Sequence, residues 1–275
     1  MFTRRKTETI GPALRNVPGA EPHYNMDPWW WLVAGAAGII AILCIFQPDP
    51  FRNIFLFVRN GIGVTVIVTV VSFIFVLGVG MLGGLGRLSK NRVIKFIATL
   101  YVELVRGIPL LVQLIWWYFA FPVVIQGIGD WTNIGFLSDY RPNAIVLAIV
   151  GFVFCYGAYM TEIYRAGIQS IPKGQMEAAR SLGMSYFQAM RHVILPQAIR
   201  VILPPVGNEF IALLKDSSLV SAVAVADLTR RGREYMAAHF NPIETWTMVA
   251  LVYLVMTLFS ARIVNYIEHR SRFDR

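Results

Sequence analysis

EAARSLGMSYFQAMRHVILP, residues 177–196, with Gln175 and Met176 just ahead of it, lies between hydrophobic blocks. It is neither apolar enough to sit in lipid nor polar enough to be a plain loop. Its local signals predict two short helices. Ser170 can cap the first, with Pro172 in the opening turn where a missing backbone N–H costs nothing, and Gly183 permits its C-terminal stop. Ser185 and Gln188, three positions apart, have the form of a capping box, and the second helix is expected to end before Pro196. Ala178, Ala179 and Leu182 give the first helix a small apolar face, flanked by Glu177 and Arg180. Such a face suits a groove on another protein or a bed of lipid headgroups, and the residues alone leave both open.

Outside this segment the chain is strongly apolar. Of its 275 residues 56% are hydrophobic and only 15% charged, and its mean hydropathy is +0.56, values that mark an integral membrane protein. The net charge of +9 is spread between apolar blocks and not gathered on one soluble face, which argues against nucleic acid. Cys44 and Cys155 each fall inside an apolar block and read as packing residues.

Six spans are expected, in an all-α polytopic fold. Residues 1 to 28, polar and proline-rich, read as a flexible tail. Trp29 to Phe46 is about 27 Å of helix at about 1.5 Å per residue, enough to cross a bilayer core, with three tryptophans to anchor it. Gly61 to Leu85 follows, with Gly80 and Gly84 as a pair where another helix can approach closely. After the basic stretch Arg87, Lys90, Arg92 and Lys95 comes Tyr101 to Ala120, with Glu103 and Arg106 placed to pair and Pro109 to kink or restart the helix. Asn143 to Tyr164 is the fourth span, closing on Glu162 and Arg165, another pair at spacing three. Ala198 to Leu214 is the fifth, expected to be broken by Pro204 and Pro205. Leu219 to Leu228 is too short to cross and reads as a partly inserted segment lining an outer gate. Thr245 to Ile267 is the sixth, and Arg270, Arg272 and Arg275 close the chain.

With the N-terminus inside, the cytoplasmic pieces carry sixteen Lys and Arg and the outer pieces seven. This bias places both termini and the 177–196 segment in the cytoplasm. Arg230, Arg231 and Arg233 run against it, so they either meet an anionic partner or mark a misplaced fifth span. Glu209, with Asn208 beside it and paired prolines just before, is an ionisable group at membrane depth and so a candidate functional site, with an internal pairing as the rival; Glu162 is a second candidate, read first as half of a structural ion pair with Arg165. No phosphate-cradling Walker sequence, HExxH or serine nucleophile elbow occurs, and the four histidines have no ligand spacing, so neither catalysis nor a metal is expected in this chain.

The pattern Glu177-Ala178-Ala179, three residues, Gly183, nine residues, Val193, one residue, Leu195-Pro196 resembles the EAA loop of ABC-importer permeases, with Val193 where that signature has Ile. The phrases YVELVRGIPLLVQL (101–114), IYRAGIQSIPKGQ (163–175) and GNEFIALLKDSSLVS (207–221) are similar to the polar amino-acid branch of that family. The resemblance runs from about Gly61 to Ile267. It implies a five-helix type I permease core over 61–267, preceded by a tail, an extra helix and a short outer loop over 1–60 and followed by a basic tail over 268–275.

By the same resemblance, the chain is a non-enzymatic permease of a bacterial inner membrane. Two ATP-binding subunits, carrying ATP and Mg2+, would each grip an EAA helix through Glu177, Ala178, Ala179, Arg180, Leu182 and Gly183. A second permease chain, identical or related, would complete the pathway, and an external solute-binding protein would deliver a polar amino acid. Two other classes are compatible with a polytopic chain. An ion-coupled secondary transporter would use Glu162 and Glu209, and a membrane-anchored scaffold would need the EAA segment but no pathway.

Overall fold

The computed structural model describes residues 29–271, so the expected N-terminal tail and the last arginines, Arg272 and Arg275, lie outside the described residues. All regular structure in this range is helical. Helix α1 is Trp30–Phe46 and α2 is Asn53–Leu88, a rod of 36 residues. Then come α3, Arg92–Arg106, α4, Leu110–Thr132, and α5, Ala144–Gln169. Helix α6 is Lys173–Ser181, α7 is Tyr186–Ala189 and α8 is Leu195–Asp216. Helix α9 is Leu228–His239 and α10 is Pro242–Ser271. Four segments among the described residues are long and apolar enough to cross a bilayer: 48–88, α4, α5 and 242–270. Helix α1, with 17 residues, is slightly shorter, and α8 is lengthy but carries Arg200, Glu209, Lys215 and Asp216. Four of the expected six spans are thus long and apolar enough to cross, and α1 and α8 hold the places of the other two.

The spine is α2 against α5. They run parallel, and Val68, Val76, Phe152 and Met160 are fully buried between them and their neighbours. Small residues make this approach possible: a Cβ on Gly80 would lie 2.4 Å from Cγ of Met160, and one on Gly84 3.0 Å from Cβ of Tyr164. The glycine pair expected to mark a helix contact does so. A second core, around Ile54, Val58, Leu228, Tyr235 and Met248, ties the start of α2 to α9 and α10.

The third crossing differs from expectation. Its helix is broken at residues 107–109, and the uninterrupted apolar span is α4, which begins at Leu110 and runs beyond Ala120 to Thr132. Helix α3 packs Val102 and Val105 on Cys155 and Ala158, near the middle of α5, so the break falls inside the bundle. Backbone carbonyls freed there need partners. Gln113 supplies them: its Nε2 donates to the carbonyls of Val105 at 2.8 Å and Ile108 at 2.9 Å. Glu103 and Arg106 form no ion pair, and the Arg106 guanidinium instead stands 5.1 Å from the ring centre of Tyr159.

The fifth crossing also differs. Pro204 and Pro205 lie inside α8 without ending it. Pro196, expected to follow a helix end, sits in the first turn of α8, and the π-helical turn Met190–Ile194 joins α7 to α8. Residues 186–216 therefore form one rod. The same device recurs in α4, where the π-helical turn Trp116–Ala120 precedes Pro122. A proline ring crowds the carbonyl four residues back, here that of His192 or Tyr118, and the wider turn makes room for it.

Candidate functional site

The EAA segment is a hairpin of helices hung between α5 and α8. Ser170 does not cap α6. It ends α5, its hydroxyl donating to the carbonyl of Gly167, and Pro172 occupies the capping position of α6. At the other end the stop is the expected one. Gly183 has φ +83°, its N–H donates to the carbonyl of Arg180, and that of Met184 donates to the carbonyl of Ala179, which together make a Schellman cap. The Ser185–Gln188 capping box forms with both of its hydrogen bonds. Gln197 ties the two arms, donating to Oε1 of Gln175 at 3.4 Å and to the carbonyl of Val193 at 2.8 Å.

The face offered outward is not quite the one the spacing suggests. Glu177, Ala178, Arg180 and Gly183 are exposed and Leu182 is 81% exposed, but Ala179 is only 4% exposed and packs within the hairpin. Tyr186 and Phe187, just past the hinge, are exposed as well. Together with Leu182 they make an apolar knob at the tip. Sequence reading did not single out the two aromatics because at the start of a helix they look like core-facing residues.

Glu162 belongs to a cluster at the far end of α2 and α5. Arg87 on α2 donates to one carboxylate oxygen, and Arg165 bonds both. Arg165 also donates to Gln169. The cluster pins the end of α5 to α2 immediately before the EAA hairpin begins. The pair with Arg165 was legible at spacing three, whereas Arg87 lies 75 residues away in sequence.

Glu209 sits elsewhere, half-buried on α8 with Asn208 exposed beside it. Asp216 lies two turns further along the same helix face and, with Arg106 at the end of α3, supplies the charge acting on Glu209. Tyr156 of α5, almost fully buried, donates to Oδ2 of Asp216 at 2.7 Å. Two carboxylates, a phenol and a guanidinium thus gather near the broken helix of the third crossing. Asp216 and Tyr156 were missed in the sequence; a carboxylate at the end of a span reads there as a boundary residue. Arg106 acts on Glu162 as well, so the Arg87–Glu162–Arg165 cluster adjoins this group.

The segment 219–228, expected to be a partly inserted piece lining an outer gate, is largely buried, with Ala222 and Ala224 exposed. Val220, Val223, Val225 and Leu228 are fully buried, and Asp227, also fully buried, caps α9 by accepting from the N–H groups of Thr229 and Arg230. The cationic run of α9 needs no anionic partner for two of its members, because Glu234 pairs with both Arg230 at 3.1 Å and Arg231 at 3.0 Å. Arg233 donates to the hydroxyl of Ser221.

Residues 76–273 match the family model described as binding-protein-dependent transport system inner membrane component. The glutamine transport system permease protein GlnP of Escherichia coli K12 is 35% identical over 213 residues, which cover 78% of this chain and 92% of GlnP. The glutamate/aspartate import permease protein GltJ of the same organism is 31% identical, over 82% of this chain and 92% of GltJ. Among solved structures, a crystal structure of an amino acid ABC transporter with histidines superposes with a TM-score of 0.69 at 34% identity, over 82% of this chain and 97% of that one. Family model, relatives and fold agree over most of the chain, which therefore belongs to the binding-protein-dependent transport inner-membrane components, among the amino-acid ABC permeases.

Proposed function

We propose that this chain is the pathway-forming permease subunit of an ATP-driven importer of polar amino acids. It docks a separate ATPase through the hairpin 173–189, lies with both termini in the cytoplasm, and receives its solute from an external binding protein. The observation that carries this reading is the continuity of residues 186–216. The hairpin, with its exposed Leu182, Tyr186 and Phe187, leads without a flexible joint into the helix that bears Glu209 and Asp216. A helix gripped from the cytoplasm then moves the pathway with it. ATP and Mg2+ belong to the ATPase, and a second permease chain completes the pathway.

The charges support a free amino acid as the solute class. Glu209, Asp216 and the Tyr156 phenol favour an ammonium group, and Arg106 offers a donor for a carboxylate. That combination fits a free amino acid. GlnP and GltJ are named for glutamine and for glutamate and aspartate, and Arg230 and Arg231, already paired with Glu234, give no bias toward an acidic solute here.

The test is purification of the chain in mild detergent from its own cells, with identification of co-purifying subunits and assay of ATP hydrolysis. The expected result is a bound ATPase, lost on Leu182→Asp with the permease still in the membrane. A chain that purifies alone, and takes up amino acids when only an ion gradient is supplied, would replace this reading with that of a secondary transporter.

A further inference from the structure

The helix α3 leaves an unusual surface bare. Residues 91–97 are all exposed, on every side of the helix. Val93, Ile97, Leu100 and Leu104, at spacings of four, three and four, form one apolar stripe, with Val93 65% and Leu104 58% exposed. The stripe continues into an apolar groove of about 610 Å³ between α3 and the first turns of α4, where Val112, Trp116 and Phe154 form the other wall. Beside the bare end of the helix stand Lys90, Arg92 and Lys95, all exposed and none in an ion pair with a described residue. No Asp or Glu occurs between Asp49 and Glu103, and Arg87 is committed to Glu162.

The position of α3 decides what can cover it. Ala98 touches Gly86 near the end of α2, whereas the Tyr101 hydroxyl donates to the carbonyl of Phe154 near the middle of α5. The helix therefore rises from the basic end of the bundle toward its middle, cations first and apolar stripe after. An anionic phospholipid has this polarity: a negative headgroup at the interface and acyl chains above it.

We propose that Lys90, Arg92 and Lys95, together with the groove between α3 and α4, form a binding site for an anionic phospholipid. The headgroup lies at the start of α3 among the three cations, of which Lys95 is on the helix face away from the stripe and acts through its field alone, and an acyl chain fills the groove against Leu100, Leu104 and Trp116. The site requires that the chain span a membrane, not that it transport amino acids.

The experiment is native mass spectrometry of the full chain in detergent, titrated with phosphatidylglycerol and with phosphatidylcholine of the same acyl composition. Wild type is expected to retain phosphatidylglycerol about tenfold more tightly, and the variant K90Q/R92Q/K95Q to bind the two lipids equally. These side chains are exposed, so their loss leaves the fold intact. Leu104→Trp, which fills the groove, is expected to weaken both lipids alike while leaving the preference in place. Unchanged preference in the triple variant, or no preference in wild type, would overturn the site. So would a crosslink between two copies of Leu104→Cys in membranes, which would show that a second copy of this chain covers the groove.

Discussion

Glu162 and Gly183 show how single residues set the ends of helices. The Glu162 carboxylate serves two guanidiniums that would otherwise stand side by side, so Glu162→Gln leaves like charges facing each other at the junction of α2 and α5. The group is about a quarter exposed, and the expected cost is about 1–3 kcal/mol. This should appear as a lower thermal unfolding midpoint of the purified chain, with the affinity for amino acid unaltered. Lost affinity at unaltered stability would instead make Glu162 part of the pathway. At Gly183 the positive φ penalises any side chain, so Gly183→Ala should cost about 1–2 kcal/mol of local stability. Proteolysis at the hairpin tip should quicken while cleavage elsewhere stays constant. Capping is local, which is why the Gly183 stop and the Ser185–Gln188 box could be read from the sequence. Arg87 and Tyr156 could not be read, since their partners lie 75 and 60 residues away.

Helices in this bundle approach closely where a side chain is missing, and that contact can be tested by replacing it. A Cβ at Gly61 would lie 2.8 Å from backbone atoms of Asp227 and Leu228, which no rotamer change can move. Gly61→Ala should push α9 away from α2 and cost about 1–3 kcal/mol, seen as reduced folded yield. Gly63, two residues on, meets nothing within 4 Å. Gly63→Ala should be neutral or stabilising by up to about 1 kcal/mol, through helix propensity. Equal effects of the two would show that α9 does not rest on α2 in this way. Proline was the least legible signal at this scale. Pro109 starts α4 after a break, whereas Pro204 and Pro205 sit inside α8. Adjacent prolines remove only two backbone N–H donors from the helix, so a helix held by its neighbours survives them. Hydropathy located the apolar blocks well, but whether a proline breaks a helix is decided by packing that lies outside the local sequence.

Across the whole molecule, if an ATPase grips the hairpin as proposed, its push must reach the carboxylates some 25 residues further along the chain. The rod offers a direct route through Met190–Ile194, where a π-helical turn carries the chain past Pro196 without a joint. Arg191 and His192 are exposed in that turn and take no part in the core. Replacing both with glycine loosens the turn by about 1 kcal/mol per residue relative to alanine, while the double alanine variant removes the same side chains and keeps the helix. Both variants should still bind the ATPase, because the hairpin tip is untouched. Only the glycine variant should lose amino-acid-stimulated ATP hydrolysis, by about tenfold, with basal hydrolysis retained. If the two variants respond equally to amino acid, force does not pass along α8. It would then have to travel through α5, which carries the other end of the hairpin and is held to α2 by the Arg87–Glu162–Arg165 cluster. Glu162→Gln, rather than the glycine pair, would in that case uncouple hydrolysis from transport.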